Sequence, residues 1–108
     1  MLVQTPKPPY IAVLFSSVKA IQKANKNYVS MNKQVSDAAK QMQGYLGCEN
    51  FTSNDKELTI SYWKTLEDVE LWKTNTIHLI AKNKGIEEWY ESYAIRICEV
   101  KRDNFFTK

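Results

Sequence analysis

The sequence predicts an α+β fold in which two helices cover one face of a four-stranded antiparallel sheet. Two observations support this: stretches of strand and helix periodicity are separated by turn residues, and they follow the order strand, helix, strand, strand, helix, strand. The composition is that of one globular domain, since 44% of the 108 residues are hydrophobic and 25% are charged.

The first half of the chain contains an arm, a strand and a helix. Residues 1–9 hold all three prolines, which predicts an extended arm. Residues 10–15 form an almost unbroken apolar run, typical of a strand covered on both faces. An amphipathic helix ending at Gly44 follows, because apolar residues recur at helical intervals: Tyr28, Met31, Val35, Ala38, Ala39 and Met42.

The second half contains a hairpin, a helix and a last strand. Residues 46–52 and 57–63 read as strands joined by a polar turn at 53–56. Thr65 and Asp68 resemble a weak capping box, and we expect the helix behind them to break or bend at Asn75-Thr76 and to stop at Gly85. Residues 93–100 predict the last strand, so the folded domain spans 10–100. Residues 101–108 form a tail whose Phe105 and Phe106 need a surface to lie on.

This order of elements is the ferredoxin-like arrangement, which has consequences for assembly and for the cysteines. The predicted strands carry apolar residues on both faces, but the helices cover only one, so we expect a homodimer that packs sheet against sheet. Cys48 and Cys98 fall on strands at opposite edges of the sheet, three spacings of about 4.8 Å apart. A disulfide tolerates roughly 7 Å between Cα atoms, so both cysteines should be free thiols within one chain.

Composition also excludes several classes of function. A net charge of +3, with 15 basic and 12 acidic residues, is too small and scattered to predict nucleic-acid binding. No apolar run approaches the roughly 20 residues of a membrane span, and no signal peptide is evident, so we expect a cytoplasmic protein. One histidine and two separated cysteines predict no metal site, and the lack of a glycine-rich phosphate loop predicts no flavin. We therefore expect no cofactor.

An ordered series of segments resembles the antibiotic biosynthesis monooxygenase (ABM) domain family, from about Tyr10 to Val100. The segments are GYLGCENF at 44–51, ELTISYW at 57–63, LEDVELW at 66–72, IHL at 77–79 and WYESY at 89–93. The resemblance implies a dimeric α+β barrel with a pocket between sheet and helices in each subunit. Some members oxygenate polycyclic aromatic phenols without metal or flavin, others bind and degrade haem, and many have no known activity.

We expect His78 and Arg96 to be catalytic in such a pocket. His78 is the sole histidine, and imidazole titrates near neutral pH, which suits a general acid or base or a hydrogen-bond partner of a phenol. The alternative is a histidine that packs at a helix end. Arg96 alternates with apolar neighbours and suits a phenolate or carboxylate, or else an ion pair across the dimer or at the sheet edge.

Aromatic residues suggest walls for a flat substrate. Trp63, Trp72, Trp89 and Tyr93 are the predicted substrate-binding aromatics, although the same residues suit a small core, and Trp72 lies on a buried helical stripe. Asn50 is predicted to donate a hydrogen bond to a substrate oxygen, with a cross-strand hydrogen bond as the alternative.

The expected function is a cofactor-independent monooxygenase acting on a phenol or quinol, with a non-enzymatic binding or interaction module as the alternative. The haem-degrading branch has an asparagine on the first strand, a tryptophan on the second helix and a histidine further along it. Here Trp72 matches the tryptophan, the first strand has no asparagine, and the histidine position falls near Lys82. Haem degradation of that type is therefore not expected.

Overall fold

The chain folds into four strands and two helices in the predicted order. The computed structural model describes residues 2–19, 26–82 and 90–108, with side chains described for 2–19, 33–76 and 90–108. The elements are β1 (Tyr10–Lys19), α1 (Lys26–Gln41), β2 (Tyr45–Ser53), β3 (Lys56–Trp63), α2 (Leu66–Lys82) and β4 (Tyr90–Val100). The α+β, ferredoxin-like prediction is confirmed. The predicted end at Gly85 lies outside the described residues.

The strands form one antiparallel sheet in the order β2-β3-β1-β4. β1 lies inside the sheet, where Val13 pairs with Ser61 of β3 and with Ile97 of β4. Because side chains alternate along a strand and paired residues share a face, the register assigns every strand residue to a side. We call the side of Ile11, Val13, Phe15 and Ser17 the inner face, and the side of Tyr10, Ala12, Leu14, Ser16 and Val18 the outer face.

The hydrophobic core lies between the inner face and the two helices. Trp63 and Val13 from the sheet are buried against Ala39 of α1 and Val69 of α2. Partly buried apolar side chains surround this centre: Ile11, Met42, Tyr45 and Trp72. The helices therefore cover the inner face, and side chains alternate along β3 so that Trp63 and Tyr62 lie on opposite faces of the sheet.

The start of α2 is fixed by its capping residue. The amide of Asp68 donates to Thr65 Oγ1 at 3.1 Å, and that hydroxyl donates in turn to Asp68 Oδ2 at 2.8 Å. The amide of Val69 donates to the Thr65 carbonyl at 3.3 Å, which begins the helical ladder. Thr65 is the N-cap that the sequence predicted, but the carboxylate three residues on binds the cap hydroxyl instead of the cap amide.

The predicted break of the second helix is wrong, because α2 runs unbroken through Asn75 and Thr76. The polar side chains before the expected break have partners that leave the helical ladder intact. The Thr74 hydroxyl donates to the Glu70 carbonyl at 3.0 Å, and the Asn75 amide donates to Met42 Sδ at 3.6 Å. α2 therefore continues through these residues despite their weak helix propensity, and Asn75 contacts Met42, just beyond the end of α1.

The hairpin and the cysteines follow the predictions. β2 and β3 are joined by Asn54 and Asp55, with Asn54 at φ 56°, a conformation that asparagine tolerates. Cys48 on edge strand β2 and Cys98 on edge strand β4 are both free thiols. The remaining differences are of length: β1 extends to Lys19, since residues 16–18 pair with both neighbouring strands, and β4 begins at Tyr90 instead of Tyr93.

Candidate functional site

The structure places most of the predicted site residues on the inner face. Register assigns Trp63, Asn50 and Tyr93 to this face, and α2, which carries Trp72 and His78, packs against it. The side chain of His78 and the whole of Trp89 lie outside the described residues.

Arg96 lies on the other side of the sheet. It pairs with Leu14, an outer-face residue, and its side chain is exposed. Within one chain, Arg96 therefore does not join the inner-face aromatics in a single pocket. The sequence pattern had already put Arg96 opposite Tyr93, but it did not say which of the two faces the helices cover.

The two described tryptophans are in contact but differ in their polar atoms. Trp63 is 0% exposed, its indole N–H donates to Ser61 Oγ at 2.9 Å, and its ring centroid lies 5.4 Å from that of Trp72. Trp63 is thus a core residue with no surface for a ligand. The Nε1 of Trp72 is buried and has no hydrogen-bond partner in the described part of the chain. A buried donor of this kind is unusual in a folded protein and marks a place where a ligand atom would be stabilised.

Asn50 makes the cross-strand hydrogen bond that was considered as its alternative role. The Thr59 hydroxyl donates to Asn50 Oδ1 at 2.7 Å across the β2–β3 pair. This cross-strand hydrogen bond holds the carboxamide in place on the inner face. Because the bond uses the amide oxygen, the NH₂ group is left to donate to an acceptor above the sheet.

Three aromatic rings lie together on the β1–β4 side of the inner face. Phe15 and Tyr93 are nearly parallel, with centroids 5.7 Å apart and planes at 12°. Tyr90 meets Phe15 at 5.8 Å and Tyr93 at 5.9 Å. We call these three residues the aromatic cluster.

The helices leave the β4 side of the inner face partly uncovered. Tyr93 is 49% exposed, Ile95 40% and Ile97 37%, although all three share the face that the helices cover. Apolar and aromatic surface thus remains open between the helices and the edge of the sheet, next to the aromatic cluster. Such a surface suits a flat, largely apolar ligand.

Two titratable groups packed at the inner face, Tyr45 and Asp68, are hydrogen-bonded within the fold. Burial, together with a hydrogen bond to Cys48, raises the pKa of Tyr45 well above its ordinary value. Asp68 is buried but bound to the cap of α2. Among the described residues, no three His, Cys, Asp or Glu side chains are grouped to hold a metal ion.

A polar cluster that the sequence did not reveal ties both chain ends to the outer face. The amide of Val3 donates to Glu49 Oε2 at 2.9 Å, and the Tyr62 hydroxyl donates to Glu49 Oε1 at 2.8 Å. Tyr10 donates to Asp103 Oδ2 at 2.7 Å. Phe105 lines a small cavity of about 130 Å³ beside them but stays 42% exposed, and Phe106 is 82% exposed, so the surface predicted for the two tail phenylalanines is found only in part for Phe105 and not for Phe106.

The remainder of the outer face forms a wide apolar groove. Its volume is about 540 Å³, and all four strands contribute to it. The apolar side chains of this outer groove are Val18, Phe51, Leu58 and Ala94. Phe51 is 51% exposed, so a large apolar surface faces away from the helices, as predicted from the two-faced strands.

Comparison with known proteins gives one relative in sequence. The chain is 39% identical over 106 residues to YqjZ of Bacillus subtilis strain 168, which covers 97% of this chain and 91% of YqjZ. The chain belongs to the YqjZ family. YqjZ is itself an uncharacterized protein, and no family model matches the chain.

Solved structures share the fold of this YqjZ relative at low sequence identity. SnoaB, a cofactor-independent oxygenase from Streptomyces nogalater, superposes with a TM-score of 0.70 at 6% identity, covering 89% of this chain and 97% of SnoaB. A conserved protein from Methanosarcina mazei superposes with a TM-score of 0.72 at 12% identity, covering 86% of this chain and 94% of that protein. A candidate antibiotic biosynthesis monooxygenase from Bordetella bronchiseptica superposes with a TM-score of 0.64 at 10% identity, covering 91% of this chain and 100% of that protein. The fold is therefore that of the antibiotic biosynthesis monooxygenases, as the resemblance implied.

Within the described residues, neither helix combines the length and apolar character needed to cross a lipid bilayer.

Proposed function

We propose that this protein is a cofactor-independent monooxygenase that oxygenates an electron-rich phenol or quinol on the inner face of its sheet. The observation that carries the proposal is the buried indole N–H of Trp72, which has no partner among the described residues. It lies on the same face as the aromatic cluster and the fixed carboxamide of Asn50. An apolar aromatic surface with a buried donor favours a ring that carries oxygen substituents.

The reaction requires few functional groups from the protein. A deprotonated quinol gives electrons to dioxygen, one oxygen atom forms a new bond to a ring carbon, and the other leaves as water. Quinol and dioxygen thus become hydroxyquinone and water, and the substrate supplies every electron. The protein needs to keep water away and to stabilise the oxyanion that develops on the ring.

Roles for individual residues follow from their places. The Trp72 N–H donates to a substrate oxygen, and Phe15 and Tyr93 support the ring. Asn50 lies on edge strand β2, at the opposite edge of the sheet from Tyr93 on β4, so its NH₂ would reach only the far end of an extended polycyclic substrate. His78, on α2, is proposed to take the phenolic proton, a role that rests on the family resemblance and on the chemistry of imidazole. Arg96 is better assigned to an ion pair across a dimer, since it lies on the outer face.

The active unit is proposed to be a homodimer that packs outer face on outer face. The outer groove presents apolar side chains from all four strands, and a monomer leaves this surface in contact with water. A second copy provides a surface of the same apolar character and size, which is the usual solution in symmetric oligomers. No nucleic acid or membrane partner is proposed.

Oxygen uptake with a soluble quinol, 1,4-dihydroxynaphthalene, tests the activity. We expect uptake above the rate of the quinol alone, with one water formed per dioxygen consumed and no hydrogen peroxide. Trp72→Phe keeps the ring but removes the N–H, and should lower the rate at least tenfold. Lys40→Ala, an exposed change on α1, is the matched control and should leave the rate unchanged. Uptake equal to that of the quinol alone would contradict the oxygenase.

The same experiment decides between the enzyme and a binding module. A protein that binds 1,4-dihydroxynaphthalene but does not raise oxygen uptake would be a small-molecule-binding module of this fold. Ferric haem with an electron donor gives a further comparison: weak binding without loss of the Soret band is expected. Steady loss of the band with release of iron, abolished in His78→Ala, would favour haem degradation instead.

A further inference from the structure

Another of the buried polar atoms without a partner among the described residues lies at the opposite end of β1 from the core. Ser17 is 4% exposed, and its Oγ has no hydrogen-bond partner in the described part of the chain. A serine hydroxyl can donate one hydrogen bond and accept two. Burying it unsatisfied opposes folding, so a position of this kind is better explained by a ligand than by stability.

The neighbours of Ser17 across the sheet do not use its hydroxyl. On one side, Ser17 pairs with Glu57, whose carboxylate oxygen lies 3.4 Å from Lys19 Nζ in an ion pair. On the other side it pairs with Tyr93, whose ring stacks on Phe15. Ser17, Phe15 and Tyr93 all project from the inner face, so the free hydroxyl lies next to the aromatic cluster.

Part of the aromatic cluster is open to solvent. Phe15 and Tyr93 are nearly parallel, and Tyr93 keeps 49% of its surface exposed. Tyr90 stands at 65° to Phe15 and at 60° to Tyr93. A flat ring placed against Tyr93 continues the stack, which is a favoured arrangement for aromatic pairs. An oxygen substituent on the edge of that ring would then be close to the Ser17 hydroxyl.

We propose that Ser17 and the aromatic cluster form a specificity subsite that selects aromatic substrates carrying an oxygen substituent at this end of the ring system. The subsite rests on the proposed function, since it lies on the same inner face, but Ser17 acts on binding and not on the reaction with dioxygen. Among the described residues the hydroxyl has no partner to give up when such a ligand enters. A ligand without this oxygen leaves the hydroxyl unsatisfied and binds less tightly.

Binding of two probes that differ by one oxygen tests the subsite. The probes are 1-naphthol and 1,5-dihydroxynaphthalene, titrated without oxygen and followed by quenching of tryptophan fluorescence. We expect the diol to bind about five to ten times more tightly than 1-naphthol, beyond the twofold statistical advantage of a second hydroxyl. Ser17→Ala should abolish the excess preference while changing the affinity for 1-naphthol less than twofold.

Two further variants separate recognition from structural effects. Ser17→Cys has nearly the same volume and a weak donor, so it should lose the preference even if Ser17→Ala fails to fold. Phe15→Leu should weaken the binding of both probes by a similar factor and keep the preference for the diol, because it removes ring stacking but leaves the Ser17 hydroxyl in place. A wild-type protein that binds both probes equally, or Ser17 variants that keep the preference, would overturn the subsite. Absence of binding by either probe at millimolar concentration would overturn the proposed function along with it.

Discussion

The carboxylate of Asp68 occupies the space that a side chain at Gly44 would need. A Cβ at position 44 would collide with the Asp68 side chain, and Gly44 has φ +85°, in the left-handed region. The Gly44 carbonyl also accepts the amide of Lys64 at 2.8 Å. The turn after α1 and the first turn of α2 are thus fixed to each other through one glycine and one buried carboxylate.

Gly44→Ala is therefore expected to destabilise the fold by more than about 1 kcal/mol, because it adds backbone strain and displaces Asp68. Urea denaturation followed by circular dichroism measures the change. Lys40→Ala, one turn earlier on the exposed side of α1, is the control and should shift stability by less than about 0.5 kcal/mol. Equal stability of Gly44→Ala and the wild type would show that the turn relaxes freely.

Removing the Thr65 cap hydroxyl should lower the stability of the fold, whereas removing the Thr74 hydroxyl should not. Thr65→Ala removes the oxygen that accepts the Asp68 amide, and we expect a loss of about 1 kcal/mol in the free energy of unfolding. Thr74→Ala removes an exposed hydroxyl that only donates back to the Glu70 carbonyl, so it should be neutral or slightly stabilising. Thermal melts of the two variants make the comparison, and a larger loss for Thr74→Ala would contradict the assigned cap.

An alkaline titration should show tyrosines that ionise at a higher pH than an ordinary tyrosine. Burial and the hydrogen bond to Glu49 raise the pKa of Tyr62 to about 12, and burial also raises the pKa of Tyr10. Because the pKa of Tyr62 in the folded protein exceeds the ordinary value of about 10, its neutral form stabilises the fold below pH 10. This contribution is lost as the pH rises from about 10 through about 12.

Absorbance of tyrosinate near 295 nm follows the titration. Tyr62→Phe should remove one ionisation from the late part of the curve and leave the early part unchanged. Glu49→Ala should move the Tyr62 ionisation to lower pH, since it removes the acceptor and its charge while burial remains. A curve in which Tyr62→Phe removes an ionisation near pH 10 would contradict the assignment.

The dimer should depend on the outer groove. Light scattering of the wild type is expected to give about 25.2 kDa, twice the chain mass of 12.6 kDa. Leu58→Glu introduces a charge in the groove and should shift the mass to that of one chain, because an unpaired charge in an apolar interface is strongly unfavourable. Lys40→Glu, on the exposed side of α1, should leave the dimer intact. A wild-type mass of 12.6 kDa at micromolar concentration would contradict the dimer.

Most of the fold could be predicted because its signals are local. The apolar run at the start of β1, the periodicity of α1 and the alternation in β3 each depend on a few neighbouring residues. The break expected at Asn75 was wrong for a related reason: helix propensity is local, but the contact between Asn75 and Met42 joins residues far apart in the chain. Helix propensity favours a break at Asn75, whereas the contact with Met42 is compatible with the unbroken helix that is observed.

The candidate site was less predictable because it depends on which sheet face the helices cover and on individual polar atoms. Alternation alone separated Arg96 from Tyr93, yet only the structure shows that Tyr93 shares the covered face. The buried atoms of Trp72 and Ser17 that lack a partner among the described residues have no sequence signal, since a buried serine or tryptophan looks the same with or without a partner. Glu49 was likewise not distinguishable from an ordinary strand residue until the arm was seen to bind it.

The pairing of Tyr10 with Val100 has a mechanical consequence. These residues stand at the same end of two neighbouring antiparallel strands, so the chain enters and leaves the sheet at one point. A force that pulls the two chain ends apart would first release the contacts of Val3 and Asp103, and would then separate β1 from β4 one hydrogen bond at a time. Each bond would carry the full load in turn instead of sharing it with its neighbours. The protein should therefore yield to pulling at low force, however stable it is to heat or urea.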